Sequence, residues 1–206
     1  MKNHWDKVYT RKGFDQLGWY EKSPEPTMDL IRMCELSPDS PILIAGAGAS
    51  TLIDRLLHEG FLQITANDLS MNALDQAKER LGPDLSARVE WVADDLIQPV
   101  ILGLGPQVEL WHDRAVLHFF NEPAQREAYF KLLRSKLAAG GHAIIAGFNL
   151  QGAEKCSGLP VCRRNADLLS REMGPEFELI KSFDYRHTMP SGEVRDYIYT
   201  LFRRKA

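Results

Sequence analysis

Cysteine is scarce in this chain. Only Cys34, Cys156 and Cys162 occur in 206 residues, with no C-x-x-C pair, so neither a disulfide framework nor a zinc site is indicated. Long apolar runs are missing as well. None approaches the roughly 18–20 residues of a membrane span, and residues 1–11 are polar, unlike a signal peptide. There is no surplus of basic charge: Lys and Arg number 25 against 28 Asp and Glu, for a net charge of −3. A general binder of nucleic acid or acidic membrane needs the opposite balance, because it must replace counterions. What is present, 44% hydrophobic and 26% charged, has the balance of a globular chain. The length suits one domain over 1–206. The expectation is a cytoplasmic protein without a metal.

Residues 41–148 alternate short apolar runs with longer amphipathic ones, the pattern of βαβ units over a parallel sheet. Strands are predicted at 42–45, about 63–67, 88–92, 108–112 and 142–147. Helices are predicted at about 50–59, 71–81 and 122–138. Ser50 and Ser70 suit N-caps, and Asn121 precedes Glu122 and Pro123, residues favoured in a first turn. Gly60, Gly82 and Gly140-Gly141 stand where those helices should end. Residues 1–40 carry Trp5, Tyr9, Phe14, Trp19 and Tyr20. An amphipathic stretch follows, with Met28, Ile31, Met33, Cys34 and Leu36 at roughly helical spacing, opened by Pro24 and Pro26 and stopped by Ser37-Pro38. Beyond 148, a loop over 149–162 leads to a helix near 164–173. Two strand-like runs, 177–188 and 194–203, are then joined by Pro190-Ser191-Gly192 as a hairpin.

The segment Ile42-Leu-Ile-Ala-Gly46-Ala-Gly48-Ala-Ser50-Thr-Leu52 ends the first strand and opens a helix. Glycines there let the backbone turn tightly and approach a ligand, which then meets the free N–H groups of the helix. A tight turn without a ligand is the plainer alternative. Asp68 closes the second strand at the offset from which an acid reaches the ribose hydroxyls of a bound nucleoside, or it merely precedes the next helix as a capping residue. Dinucleotides and S-adenosylmethionine share these features. Three points favour the second: Thr51 stands where a dinucleotide motif has its third glycine, Asp94-Asp95 adds negative charge after the third strand, and an ordinary dinucleotide fold predicts no terminal hairpin.

With these residues the chain resembles the class I S-adenosylmethionine-dependent methyltransferases over nearly its whole length. The resemblance rests on the 46–50 loop, Asp68, Ala93-Asp94-Asp95, Trp111-His112-Asp113-Arg114, Leu137-Ala-Ala-Gly-Gly141 and the hairpin. It implies an α/β, Rossmann-like, seven-stranded, mostly parallel sheet with helices on both faces and the last strand antiparallel. The segment 1–40 would be a cover over a 41–206 core. Narrower similarities point two ways. Trp5-Asp6-x-x-Tyr9, Trp19-Tyr20 and Gly46-x-Gly48-x-Ser50 with Leu52 resemble the elongation-factor and citrate-synthase lysine methyltransferases. Glu154-Lys155-Cys156-Ser157-Gly158-Leu159-Pro160 resembles compact bacterial methyltransferases, some relatives of which methylate thiols, sulfide or metalloid oxyanions. Two positions depart from the family pattern: Ile44 replaces an acid, for which Asp113 could substitute, and Ser50 replaces the third loop glycine.

By family position, Gly46, Ala47, Gly48 and Ser50 take the methionine side of the cofactor, Asp68 and Leu69 the ribose, and Asp94, Asp95 and Leu96 the adenine. Trp19 and Tyr20 close over it, and Asp113 and Arg114 lie near the transferred methyl. His118, Asp113 and Tyr185 are the catalytic candidates, His118 because an imidazole titrates near neutrality. Tyr9, Cys156 and His187 are candidates for the acceptor pocket. Cys156 and Cys162 would be reactive in the field of Lys155, Arg163 and Arg164, or are ordinary loop cysteines. That basic cluster either holds an anionic substrate or is a solvated helix start. The expected reaction moves a methyl group to a small molecule, thiol or sulfide ahead of amine, because 206 residues leave no separate substrate-reading domain. A lysine methyltransferase acting on a protein is the alternative. An NAD-dependent oxidoreductase and a cofactor-binding module without activity are remoter ones.

Overall fold

The computed structural model describes every residue except Lys12 and Ala49, the latter in the glycine loop. In chain order, α1 (Lys2–Arg11) and α2 (Glu25–Arg32) precede β1 (Ile42–Ala45), α3 (Leu52–His58), β2 (Ile64–Asp68), α4 (Met71–Ser86) and β3 (Val89–Ala93). Then come β4 (Val108–Arg114), α5 (Pro123–Lys136), β5 (Leu137–Phe148), the short pair β6 (Lys155–Cys156) and β7 (Leu159–Pro160), α6 (Ala166–Met173), β8 (Phe177–Thr188) and β9 (Val194–Arg204). Seven strands form one sheet in the order β3-β2-β1-β4-β5-β9-β8. β9 enters antiparallel to β5, and β8 pairs with it at the edge. No described helix is long and apolar enough to cross a membrane.

β1 is buried along its whole length, as a central parallel strand covered on both faces must be. Its residues alternate between two cores. Ile42 and Ile44 join Met28 and Ile31 of α2, Leu52 and Leu56 of α3, and Tyr197 and Tyr199 of β9. Leu43 and Ala45 face Trp111, Tyr129, Leu133, Ile145, Met173 and Phe202. Each such side chain contributes about 1.5–3 kcal/mol by leaving water. A third, smaller cluster gathers Tyr9, Leu17 and Ala73 with Trp5, Phe14, Trp19 and Tyr20, so the N-terminal aromatics pack beside α4.

The predicted elements are found, with instructive differences at their ends. The helical run at 71–81 does break at Gly82 (φ 75°), and Pro83 starts a further turn that extends α4 to Ser86. Ser70 sits at the N-cap of α4 without capping it; its hydroxyl donates instead to Asp6 of α1 at 2.6 Å. Glu122, not Asn121, precedes α5, its N–H donating to Gln125 Oε1 at 3.2 Å. Asn121 donates to the carbonyls of Phe119 and Pro160. α5 stops before 138 because Leu137 already pairs with Val108, while Leu110 pairs with His142. The intervening residues bulge, with Gly140 at φ 78°. The 149–162 loop contains the β6–β7 hairpin.

After β3 the chain makes a long excursion to β4, and Asp94 organises its start. Its carboxylate accepts the N–H groups of Asp95, Val100, Ile101 and Leu102 at 2.8–3.1 Å. Four backbone donors on one buried carboxylate leave it little capacity for a ligand, so Asp94 is a loop-holding residue rather than an adenine acceptor. Asp94→Ala is expected to cost about 2–3 kcal/mol in urea denaturation and to remove hydrogen-exchange protection from Val100, Ile101 and Leu102.

Candidate active site

The turn after β1 is shaped for close approach. Gly46 and Gly48 hold φ of 61° and 51°. A Cβ on Gly46 would lie 2.0 Å from Val116 Cγ2, and one on Gly48 would lie 2.4 Å from the Tyr9 hydroxyl. Conformation and space both demand glycine here. Asp68 braces the turn: Oδ2 accepts Gly48 N–H and Oδ1 accepts Ser70 N–H, each at 2.8 Å. Burial pushes its pKa up to about 6, against the pull of these N–H donors. Ser50 takes part through Oγ, which accepts Leu52 N–H at 3.1 Å.

A cleft of about 710 Å³ opens across the carboxyl ends of β1 to β4. Gly46, Asp68, Leu69, Asp94, Asp95, Leu96 and Arg114 line its base and sides, with Trp5, Tyr9, Trp19, Phe119 and Cys156 around them. Trp5 packs edge-on against both Trp19 and Phe119, at 5.6 and 5.0 Å between ring centroids. A neighbouring space of about 530 Å³ is lined by Tyr20, Glu21, Ile44, Ala47, Ser50 and His112. Trp19, Gly46 and Arg114 line both.

Arg114 lies between the two spaces. Nε donates to the Tyr199 hydroxyl at 2.8 Å and pairs with Glu21 at 3.0 Å, while Nη1 donates to the Trp19 carbonyl at 2.8 Å. Nη2 is buried without a partner among the described residues. Burial raises the Glu21 carboxyl above its usual range, opposed by Arg114. Asn67, which lines the cleft, donates from Nδ2 to the Val92 and Asp94 carbonyls, and its Oδ1 is buried without a partner among the described residues. Neither Glu21 nor Asn67 stands out in the sequence. The signals were adjacency to Trp19-Tyr20 and to Asp68.

Other candidates lie elsewhere. Asp113 is fully buried outside the cleft, its carboxylate accepting Tyr129 Oη–H at 2.7 Å and the N–H groups of Val116 and Leu117. It therefore shapes the turn after β4 and neither touches the cofactor space nor replaces an acid at Ile44; Glu21 shares Ile44's space instead. His118 packs against the rings of Phe119 and Phe148, at 4.3 and 5.0 Å, with both ring nitrogens unpartnered. Burial, then Arg164 and Arg114, pushes its pKa down to about 3, so it cannot serve as a base near neutrality. Tyr185 packs edge-on against Tyr199 at 5.7 Å, away from the cleft. His187 donates to the Gly18 carbonyl at 3.1 Å and so holds the N-terminal segment instead of lining an acceptor pocket. The basic cluster is divided: Arg164 pairs with Glu172 at 2.6 Å and Arg163 with Glu154 at 3.3 Å. Cys162 contacts Asn121 Oδ1 at 3.3 Å. Burial pushes the Cys156 thiol up to about 11, which makes it an unreactive thiol at neutral pH.

No family model and no curated protein matches the chain. Solved structures do. A protein studied for the conversion of a disulfide bond into a thioacetal group during echinomycin biosynthesis is 20% identical, with a TM-score of 0.78 over 100% of this chain and 93% of its own. A SAM-dependent methyltransferase from Anabaena variabilis is 15% identical, with a TM-score of 0.72 over 99% and 93%. The N-methyltransferase NodS from Bradyrhizobium japonicum, solved with S-adenosyl-L-homocysteine, is 16% identical, with a TM-score of 0.71 over 98% and 100%. The fold is that of the class I methyltransferases. In this methyltransferase fold the sheet order reverses between β1 and β4, and the cleft lies at that switch point, where open α/β sheets receive ligands.

Burial also pushes Asp113 up to about 6, so the folded state holds its proton more tightly than the unfolded chain, where an Asp titrates near 4. This contribution to stability is complete below about pH 4 and is lost as pH rises through about 6. Relative to Asp113→Asn, the wild type is expected to lose on the order of 1–3 kcal/mol between those pH values, read by urea denaturation at each.

Proposed function

We propose that this chain is an S-adenosylmethionine-dependent methyltransferase, one domain with residues 1–40 as its cover, acting on a small nucleophile, thiol or sulfide ahead of amine. The observation that carries this reading is the cleft at the switch point. It combines a turn that leaves no room for a Cβ at Gly46 or Gly48, the Asp68 carboxylate, and two lining residues, Arg114 and Asn67, each with a buried polar atom that has no partner among the described residues. These groups fit the cofactor. Arg114 Nη2 would take the amino-acid carboxylate, the 46–50 turn the methionine chain, Asp68 and Leu69 the ribose, and Asp95 and Leu96 the adenine edge. NodS, of the same fold, holds the demethylated product.

When bound, S-adenosylmethionine supplies an electrophilic methyl group on a sulfonium. The protein's part is alignment and exclusion of water, which Trp5, Tyr9 and Trp19 perform as an aromatic roof. The nucleophile's lone pair forms the new bond to the methyl carbon, and the old carbon–sulfur pair returns to sulfur. The titratable side chains beside the roof hold their protons: Cys156 and Tyr9 are both raised by burial. An acceptor that arrives already deprotonated suits such a site. A thiol ionises near pH 8.5, an alkyl ammonium near 10.4, so the thiolate is the better match.

Titration with S-adenosylmethionine, S-adenosylhomocysteine and NAD tests the reading. Binding of both adenosyl ligands is expected, weakened roughly 5- to 150-fold by Asp68→Ala through loss of charge-assisted bonds to the ribose. No adenosyl affinity at millimolar concentration overturns it, and tight NAD binding in its place would indicate the oxidoreductase. A radiolabelled methyl-transfer screen of thiols, sulfide, amines and cell protein then reads the acceptor. Label confined to protein would favour the lysine methyltransferase.

A further inference from the structure

Past Trp19 and Cys156, which line the cofactor cleft, lies a second cavity of about 910 Å³ that opens to the surface. The same two side chains line both, so the two cavities are neighbours. The part of the second cavity that a ligand can fill is about 340 Å³, within the range of small-molecule sites, about 300–1,000 Å³. Leu17, Phe148, Met189 and Tyr197 give it an apolar wall.

Its charged lining is of one sign. Arg11 from the end of α1, Lys155 from β6 and Arg195 from β9 all line it, and no described carboxylate does. Arg195 pairs with Glu193, while Arg11 and Lys155 make no ion pair among the described residues. Three cations from distant parts of the chain thus converge on one cavity of a protein whose net charge is −3.

The wall carrying Lys155 and Cys156 is firmly built. β6 and β7 are joined through Ser157 and Gly158 at φ 51° and 80°, two positive-φ residues in succession as a tight hairpin turn requires. Cys162 N–H donates to the His118 carbonyl at 2.7 Å, Asn121 Nδ2 to the Pro160 carbonyl at 3.0 Å, and Arg164 N–H to the Phe148 carbonyl at 3.1 Å. Asn121 and the His118 backbone are therefore positioning elements for this wall.

Resting on the methyltransferase reading, we propose that this cavity is the acceptor site and that it takes a small anionic molecule with an apolar or aromatic body. The nucleophile lies at the Trp19–Cys156 junction, the body against Leu17, Phe148 and Met189, and the anionic group, a carboxylate or its like, at Arg11, Lys155 and Arg195. The same field pulls a thiol toward its thiolate, against the burial that raises Cys156, and repels a lysine ammonium.

Three thiols of one shape test this: 4-mercaptobenzoate, thiophenol and 4-(aminomethyl)thiophenol, each titrated calorimetrically into protein saturated with S-adenosylhomocysteine. The carboxylate is expected to bind about tenfold more tightly than thiophenol and the ammonium more weakly than either, with the spread shrinking in high salt as exposed charges are screened. The triple variant Arg11→Gln, Lys155→Gln, Arg195→Gln should bring the three within about twofold while S-adenosylhomocysteine affinity is unchanged. Equal affinities in the wild type, a preference that survives the triple substitution, or no thiol binding at all would overturn the proposal while leaving the methyltransferase reading intact. Failure of S-adenosylhomocysteine to bind would instead remove the reading on which it rests.

Discussion

From the end of β4 the Arg114 guanidinium reaches Glu21, the Trp19 carbonyl and the Tyr199 hydroxyl, and its plane lies 4.7 Å from the Tyr197 ring centroid. A buried cation is costly unless nearly every donor is met. Here the requirement binds three parts of the chain together: the N-terminal segment, the central strand beside β1, and the antiparallel strand inserted at β9. The aromatic roof can cover the cleft because Trp19 and Glu21 are held at this point. Nη2 keeps its N–H groups without a partner among the described residues, which favours a negative group nearby.

Much of the fold was readable because the chain switches cleanly between strand and helix periodicity, and because the glycine turn and the terminal hairpin carry their own chemistry. Ends were less readable. Leu137 reads as the last turn of a helix, yet pairing with Val108 recruits it to β5, a contact no local pattern reveals. Ser70 has the composition of a cap, but Asp6, far away in sequence, takes its hydroxyl.

The site divided along similar lines. Gly46, Asp68, Leu69, Asp95, Leu96, Tyr9, Trp19, Arg114 and Cys156 all reach the cleft. Asp113 does not, although it neighbours Arg114, because successive side chains on β4 point to opposite faces. Asp94, which lines the cleft, and His118, which does not, show that a side chain's chemistry depends on what surrounds it. Four backbone N–H groups occupy one, and aromatic rings without a polar partner neutralise the other. Arg11 and Arg195 were illegible as site residues because only the tertiary fold brings them to Lys155.

The cover over the cleft is fastened in two unlike ways. α1 rests on α4 through peripheral hydrogen bonds, Ser70 to Asp6, Asn72 to Thr10 at 3.0 Å and Gln76 to the Tyr9 carbonyl. The stretch from Trp19 to Glu21 is instead clamped by a buried ion pair to the sheet. Under the proposed function, a cover held this way would have its hinge at the clamp and its latch on the first turns of α4, so residues that touch no ligand would govern access to the cleft.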